Sequence, residues 1–158
     1  MGLFTKNKNL EIYAPVDGEI IDLTSVKDEV FAEGMLGEGL AFEPANGEFV
    51  APISGKLVTV FPSGHAFGIR SKCGVEILLH IGLDTVTLDG EGFDVKVKQN
   101  ESVNQGDTLV VVDLEEVSKK VPAMQTPLIF TTDSMSGRKI EILKTGKVSK
   151  GDLVAKVS

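Results

Sequence analysis

The chain has 158 residues, of which 42% are hydrophobic and 25% charged, and its net charge is −7 at pH 7. This length supports one domain with its own core. The negative charge argues against nucleic acid or anionic lipid as a partner, since a protein that binds either one needs clustered Lys and Arg. The single cysteine, Cys73, excludes an intrachain disulfide and, with no apolar run long enough for a membrane span, predicts a cytoplasmic protein.

Residues 1–10, MGLFTKNKNL, are too short and polar for a secretory signal, and they predict a flexible tail before a single domain over residues 11–158. Short β-type segments follow, broken by Gly, Pro, Asn and Asp at the spacing of an all-β sandwich or barrel. Twelve strands are predicted, over 11–16, 18–23, 39–44, 49–53, 55–61, 66–71, 75–81, 93–98, 107–114, 126–132, 139–144 and 152–158.

Two short helices are predicted among the strands. The first covers 25–34, with Ser25 as its N-cap, Asp28 three residues later and Gly34 at its end. The second covers 113–122, where an apolar stripe at helical spacing is followed by a proline. Both are too short to change the mainly β character of the chain.

Two sequence echoes indicate an internal duplication. APVDGEI at 14–20 resembles APISGKL at 51–57, and ESVNQGDTLVVV at 101–112 resembles GKVSKGDLVAKV at 146–157. In each, a glycine turn precedes an alternating strand. The periods differ, which excludes a solenoid array and favours two similar hairpin units packed together. The predicted fold class is therefore an all-β antiparallel sandwich with internal pseudo-duplication.

One of the two histidines of the chain, His80, interrupts the apolar stretch VEILLHIGLDTV. Residues two apart in a strand share a face, so the core face carries Val75, Ile77, Leu79 and Ile81. His80 is then expected to face away from the core, beside Leu78. An apolar residue on that outer face is typical of a contact surface.

The other histidine, His65, follows a Pro-Ser-Gly turn and opens the preceding strand. A hairpin folded at Lys72–Cys73 leaves His65 and His80 equally far from its turn. Positions paired across such a ladder are close enough for their side chains to touch. The sequence therefore predicts that the two histidines meet.

Two adjacent histidines are compatible with several chemistries. A zinc hydrolase needs three or four ligands, and the chain has no H-x-H, H-E-x-x-H or C-x-x-C motif. It also lacks the G-x-S-x-G motif of serine hydrolases and the hairpin-tip lysine motif of lipoyl- or biotinyl-type carriers. Histidine can itself be the nucleophile, because a neutral imidazole keeps an unprotonated nitrogen that can take a phosphoryl group and pass it on.

The segments SGHAFGI, GVEILLHIGLDTV and GEGF resemble the glucose-class enzyme IIA family of the bacterial sugar phosphotransferase system. The resemblance continues through APVDGEI, VFAEGMLGEGLAF, VAPISGKL and VNQGDTL, covers nearly the whole chain and matches the freestanding form of the family. It implies an antiparallel β-sandwich with short helices and an internal duplication. It also implies a phosphoryl carrier that accepts from phospho-HPr, passes the group to the IIB domain of a sugar permease and has a regulatory role when unphosphorylated.

The resemblance assigns roles to particular residues. His80 matches the phosphoacceptor, which is modified on Nε2, and His65 matches the partner histidine that steadies the phosphoryl group and serves its onward transfer. Ser63 falls where relatives carry a threonine whose hydroxyl orients the partner histidine. Ser63 and Gly64 replace a Thr-Asn pair here, which leaves the hydroxyl in place.

The resemblance also implies a docking surface for partners. Asp28 and Asp84 match acidic positions that would face an arginine of HPr. The candidate apolar docking rim consists of Val30, Phe31, Leu36, Phe61, Phe67, Leu78 and Val86. Some family members bind zinc between the two histidines and a carboxylate of a partner, so His65 and His80 are also candidate zinc ligands, although no cofactor is required.

Two alternative functions remain open at the level of sequence. A zinc-dependent β-type metallopeptidase would need a third protein ligand beside the histidines. A purely regulatory binding module would use the same docking surface without transferring a group, because family members bind permeases or metabolic enzymes when unphosphorylated. A dianionic phosphate added to that surface would disrupt the contacts made there.

Overall fold

The computed structural model describes residues 9–158, so residues 1–8 of the predicted tail lie outside the described part. The strands are β1 (Leu10–Tyr13), β2 (Gly18–Asp22), β3 (Gly37–Pro44), β4 (Glu48–Val50), β5 (Gly55–Val60), β6 (Ala66–Arg70), β7 (Glu76–His80), β8 (Phe93–Val95), β9 (Ser102–Val103), β10 (Thr108–Val112), β11 (Thr126–Thr131), β12 (Ile140–Ile142), β13 (Gly146–Val148) and β14 (Leu153–Val157). The helices are α1 (Glu29–Ala32), α2 (Leu114–Ser118) and α3 (Thr132–Met135), with 3₁₀ turns at Leu23–Ser25 and Thr85–Leu88.

The strands form one eight-stranded sheet and two small sheets. The large sheet has the order β13-β2-β3-β11-β7-β6-β5-β9, and the small sheets are β1-β14-β12 and β4-β10-β8. Every pairing is antiparallel, which confirms the predicted fold class. Each of the predicted strands is present. The sequence does not predict β9 and β13, because strands of two or three residues are too short to show alternation.

The hydrogen bonds of the backbone repeat in the two halves of the fold. The amide of Gly151 donates to the carbonyl of Ala14, and the amide of Gly106 donates to the carbonyl of Ala51, at 2.9 Å in both cases. Likewise β2 pairs with β13 as β5 pairs with β9, and β1 pairs with β14 as β4 pairs with β10. The duplication predicted from the sequence echoes is confirmed.

The main core lies between the large sheet and the two small ones. Its largest fully buried side chains are Phe42, Phe49, Phe67, Phe130, Ile12, Ile53, Leu57, Ile69, Ile77, Leu79, Ile81 and Leu109. In β7 the core residues are completely buried, whereas Leu78 and His80 are half-buried on the opposite face, as alternation predicts. A second, smaller cluster consists of Leu23, Val26, Phe31, Ala41, Leu83 and Ile129, and it joins α1 to that opposite face.

The predicted N-cap of α1 is wrong by three residues. Asp28 is the N-cap, because its carboxylate accepts a hydrogen bond from the amide of Val30 at 2.9 Å, whereas Ser25 lies in a 3₁₀ turn. Helix α2 lies within the predicted range and is capped by Asp113, but it ends at Ser118, so the prediction that it continues to Pro122 is wrong. Within residues 9–158, no helix is long and apolar enough to cross a membrane.

Candidate functional site

His80 is the last residue of β7, and a tight turn follows it. Gly82 has a φ of +74°, and a Cβ atom there would lie 2.6 Å from the side chain of Thr85, so glycine is required for this turn. The turn brings the carbonyl of Gly82 to 2.8 Å from Nδ1 of His80. Because a carbonyl only accepts, Nδ1 carries the proton, and the lone pair of the neutral imidazole is on Nε2.

The loop after His80 is held in place by its own hydrogen bonds and by one neighbour. The buried hydroxyl of Thr85 donates to the carbonyl of Ile81 at 2.6 Å. The amide of Leu83 donates to the carbonyl of Ala123 at 3.0 Å. The loop is therefore fixed at both ends, and the exposed Asp84 lies between them.

His65 directly precedes β6, and a tight turn positions it. The amide of Gly64 donates to the carbonyl of Phe61 at 2.7 Å. Gly64 has a φ of +77°, and a Cβ atom there would lie 2.5 Å from the side chain of Val95, which explains glycine at this position. His65 is 3% exposed, and its Nδ1 is hydrogen-bonded to the hydroxyl of Ser63.

The two imidazoles lie edge to face, with ring centroids 5.2 Å apart and an interplanar angle of 76°. The predicted meeting of the histidines is confirmed, but the predicted pairing is wrong by one residue. Ala66 is paired with His80, and the carbonyl of His65 accepts from the amide of Ile81 at 2.7 Å. His65 reaches His80 because it lies just outside β6, where strand alternation no longer fixes the direction of a side chain.

Two phenylalanines flank the histidine pair. The ring of Phe31 lies 5.0 Å from that of His80, and the ring of Phe61 lies 5.0 Å from that of His65. Among residues 9–158, hydrogen bonds to the two imidazoles involve Nδ1 only. The Nε2 atoms are thus the ring positions left for an incoming group.

Both imidazoles are neutral at pH 7. Burial lowers the pKa of His65 to about 4, and repulsion from a charged His80 acts in the same direction. Burial also lowers the pKa of His80, while the hydrogen bond to Gly82 and the negative charges of Asp28 and Asp84 partly oppose that shift. A neutral His80 keeps the unprotonated nitrogen that a nucleophile needs.

Acidification is expected to destabilise the fold through His65. The pKa of this histidine is about 4 in the folded protein and near its ordinary value of 6.5 in the unfolded chain. Between these values the unfolded chain binds a proton that the folded protein does not, so the free energy of unfolding falls as the pH falls from 6.5 towards 4. Thermal unfolding at pH 7 and pH 5 measures this loss, and a His65→Gln variant should lose less. An equal loss in both proteins would contradict the assignment.

The structure places four residues of the predicted docking rim at the surface. Their exposed fractions are 43% for Val30, 42% for Leu36, 40% for Phe61 and 56% for Val86. Met35, at 65%, was not predicted, because a lone methionine in a glycine-rich turn shows no periodic pattern. Exposed apolar side chains in one region are typical of a protein contact.

The prediction that Phe67 belongs to this rim is wrong. Phe67 is fully buried, because it is paired with Leu79 on the core face of the hairpin. Phe31 is also largely buried, at 6% exposure, and it packs beneath His80 within the smaller cluster. Leu78 is half-buried against the same cluster.

The described residues do not form a complete metal site. Nowhere in residues 9–158 do three or more His, Cys, Asp or Glu side chains come together in a group that could hold a metal ion. His65 and His80 supply two imidazoles, one fewer than the protein ligands of a catalytic zinc site. The residues present therefore do not fit a zinc centre belonging to this chain alone.

Comparisons with known proteins give one consistent result. The sequence profile of the family "phosphoenolpyruvate-dependent sugar phosphotransferase system, EIIA 1" matches residues 10–136. A glucose-specific EIIA component from Mycoplasma capricolum subsp. capricolum is 59% identical over 149 residues, which are 94% of this chain and 96% of that protein. A glucose-specific EIICBA component from Staphylococcus carnosus is 44% identical over 90% of this chain, which corresponds to 21% of that longer protein.

A solved structure agrees with the sequence comparisons. Glucose permease IIA from Mycoplasma capricolum superposes with a TM-score of 0.91 at 57% identity, covering 99% of both chains. Fold and relatives together define a phosphoryl carrier, a component of a phosphotransferase system. The chain belongs to the EIIA 1 family of the phosphoenolpyruvate-dependent sugar phosphotransferase system. The alternative of a zinc-dependent peptidase is not supported.

Proposed function

We propose that His80 accepts a phosphoryl group on Nε2 from phospho-HPr and passes it to the IIB domain of a sugar permease of the glucose class, in the cytoplasm. One observation carries this assignment: Nδ1 of His80 donates to the carbonyl of Gly82 at 2.8 Å, which leaves the lone pair on Nε2 beside His65. Relatives described as glucose-specific support the sugar class. The fused EIICBA relative supports IIB as the acceptor.

The transfer follows from the state of the imidazole. The lone pair of Nε2 attacks the phosphorus of the donor and the Nε2–P bond forms. The bond between phosphorus and the donor atom breaks, and its electron pair returns to the donor. Nδ1 keeps its proton on the carbonyl of Gly82. The reverse sequence of events, with the acceptor as nucleophile, delivers the group onward.

His65 is the proposed stabiliser of the phosphoryl group. A ring 5.2 Å from that of His80 can donate an N–H from Nε2 to a phosphoryl oxygen when its Nδ1 accepts a hydrogen bond. The hydroxyl of Ser63 is bonded to Nδ1 of His65 and is the proposed donor that fixes this tautomer. A fixed tautomer presents the donor before the phosphoryl group arrives, which lowers the cost of reorganisation.

The exposed residues around the pair are the proposed docking surface for both partners. The apolar members are Val30, Met35, Leu36, Phe61 and Val86. Asp28 and Asp84 provide negative charge beside His80, complementary to an arginine of a partner.

A phosphoryl dianion at the centre of this surface would disfavour partners that bind the unphosphorylated protein, which supports a regulatory role.

Phosphorylation of the purified protein tests the proposal. With phosphoenolpyruvate, enzyme I and HPr, we expect one phosphoryl group per chain, labile in acid and stable in alkali as a phosphoramidate is. Tandem mass spectrometry of an alkaline digest should place it on His80, and phosphorus–nitrogen NMR coupling should assign it to Nε2. A group on Nδ1, on His65 or on a hydroxyl would overturn the assignment.

A further inference from the structure

A buried glutamine, Gln125, connects the sheet to the segment that precedes α1. Gln125 directly precedes β11 in the chain and is 5% exposed. Its Oε1 accepts from the amide of Lys27 at 2.8 Å, and its Nε2 donates to a carboxylate oxygen of Glu43 at 3.3 Å. Since only Oε1 can accept from an amide, these bonds fix the orientation of the side-chain amide.

The bond to Lys27 is made at the entrance of α1. The next residue is Asp28, which caps α1 and lies close enough to His80 to affect its charge state. The helix then presents Phe31 to the ring of His80 and leaves Val30 exposed on the docking surface. A shift of the Lys27 backbone would therefore move an acidic and an apolar member of that surface together.

The segment that contains Gln125 also holds the loop that carries Asp84. The carbonyl of Ala123, two residues earlier, accepts from the amide of Leu83, the neighbour of Asp84. A Cβ atom on Gly82 would lie 3.2 Å from the sulfur of Met124, so this segment also packs against the turn behind His80. One short segment thus contacts the loops that carry both aspartates.

The internal duplication shows which residue takes the place of Gln125 in the other half of the fold. β2 and β3 correspond to β5 and β6, so the pair Glu19 and Glu43 corresponds to Lys56 and Arg70. By the same correspondence, β11 matches β7 and Gln125 matches Glu76, which forms an ion pair with Arg70 at 2.9 Å.

The two halves use this pair of positions differently. In one half a carboxylate meets a guanidinium, and in the other half an amide meets the carboxylate of Glu43. A glutamate at position 125 would place two carboxylates together, whereas a glutamine donates to Glu43 and keeps Oε1 for Lys27. The glutamine therefore suits a position that must bind both groups.

We propose that Gln125 is a positioning residue for phosphoryl transfer, which holds Asp28 and α1 in the geometry that a docking partner requires. This inference rests on the proposed function of His80. Gln125 lies outside the reacting atoms and acts through the Lys27 backbone, so its effect should fall on partner binding more than on the chemical step.

Replacing Gln125 by leucine tests this role. We expect the KM for phospho-HPr to rise about 5–30-fold, because the backbone amide of Lys27 loses its acceptor and α1 is no longer held in place. The kcat should stay within about twofold. Hydrogen exchange at the Lys27 amide should accelerate by about tenfold or more, while the amides of β3 exchange as before. Unchanged KM with unchanged Lys27 exchange, or a loss confined to kcat, would overturn the proposal.

Three further variants separate this role from a general loss of structure. Glu43→Gln keeps the bond from Lys27 to Gln125, so it should retain the normal KM. Gln125→Glu should raise KM, because it places two carboxylates together. Adding Glu43→Gln should restore KM, because the double variant again has an amide that donates to a carboxylate and leaves an oxygen at position 125 for the Lys27 amide. Failure of this rescue in a folded double variant would count against the proposal. If the wild-type protein accepted no phosphoryl group, the function of His80 would fail, while Lys27 exchange would still report on the Gln125 bond.

Discussion

A His80→Gln variant is expected to accept no phosphoryl group from phospho-HPr. The glutamine amide can still reach the carbonyl of Gly82 and pack against Phe31, but an amide nitrogen has no lone pair available for attack on phosphorus. The loss should therefore be complete rather than graded. Transfer of radiolabelled phosphate from phosphoenolpyruvate, followed over a time course that saturates the wild-type protein, measures it.

Two controls make this result specific to the nucleophile. Thermal unfolding should show that the variant is folded, since His80 is only half-buried and lies outside the main core. Titration with unphosphorylated HPr should show nearly normal binding, because the exposed rim is unchanged. Label that persists in the folded variant would exclude His80 as the acceptor and direct attention to His65.

The position of His80 could be predicted because strand alternation is a local property. β7 has no bulge, so the side chain of every second residue faces the core, and the half-buried face with Leu78 follows directly. The same rule, applied to β6, places Phe67 in the core. Its assignment to the docking rim came from the family resemblance and conflicts with that alternation.

Features that depend on contacts between distant segments were not predictable in this way. The hairpin register is offset by one residue because Lys72, Cys73 and Gly74 form a wider turn than the simple count assumes. The hydrogen bond between Lys27 and Gln125 joins residues 98 positions apart in the chain, and no periodic sequence pattern indicates it. A carbonyl acceptor such as that of Gly82 is equally invisible, because every residue carries one.

The charges around His80 are compatible with the proposed onward transfer of a phosphoryl group from its Nε2. Asp28 and Asp84 favour a protonated imidazole, yet burial outweighs them and keeps the pKa of His80 below its ordinary value. The same carboxylates repel a phosphoryl dianion on Nε2. We expect this repulsion to offset the stabilisation by nearby N–H donors, so that the phosphorylated state does not become too stable for onward transfer.

A His65→Ala variant is expected to accept a phosphoryl group slowly and to transfer it poorly. The nucleophile and its bond to Gly82 remain, so acceptance from phospho-HPr continues. The N–H donor proposed for the phosphoryl oxygens is lost, and removal of one such donor typically lowers the rate by about 10²–10³-fold. Single-turnover transfer from the phosphorylated variant to a purified IIB domain measures the onward step separately from the first.

A matched Ser63→Ala variant separates the ring from its orientation. It keeps the imidazole of His65 but removes the hydroxyl bonded to Nδ1, so the tautomer is no longer fixed. Onward transfer should then fall between the rates of the wild-type protein and of His65→Ala. Normal transfer by His65→Ala would remove the proposed role of this histidine, and a Ser63→Ala rate equal to that of the wild type would show that burial alone orients the ring.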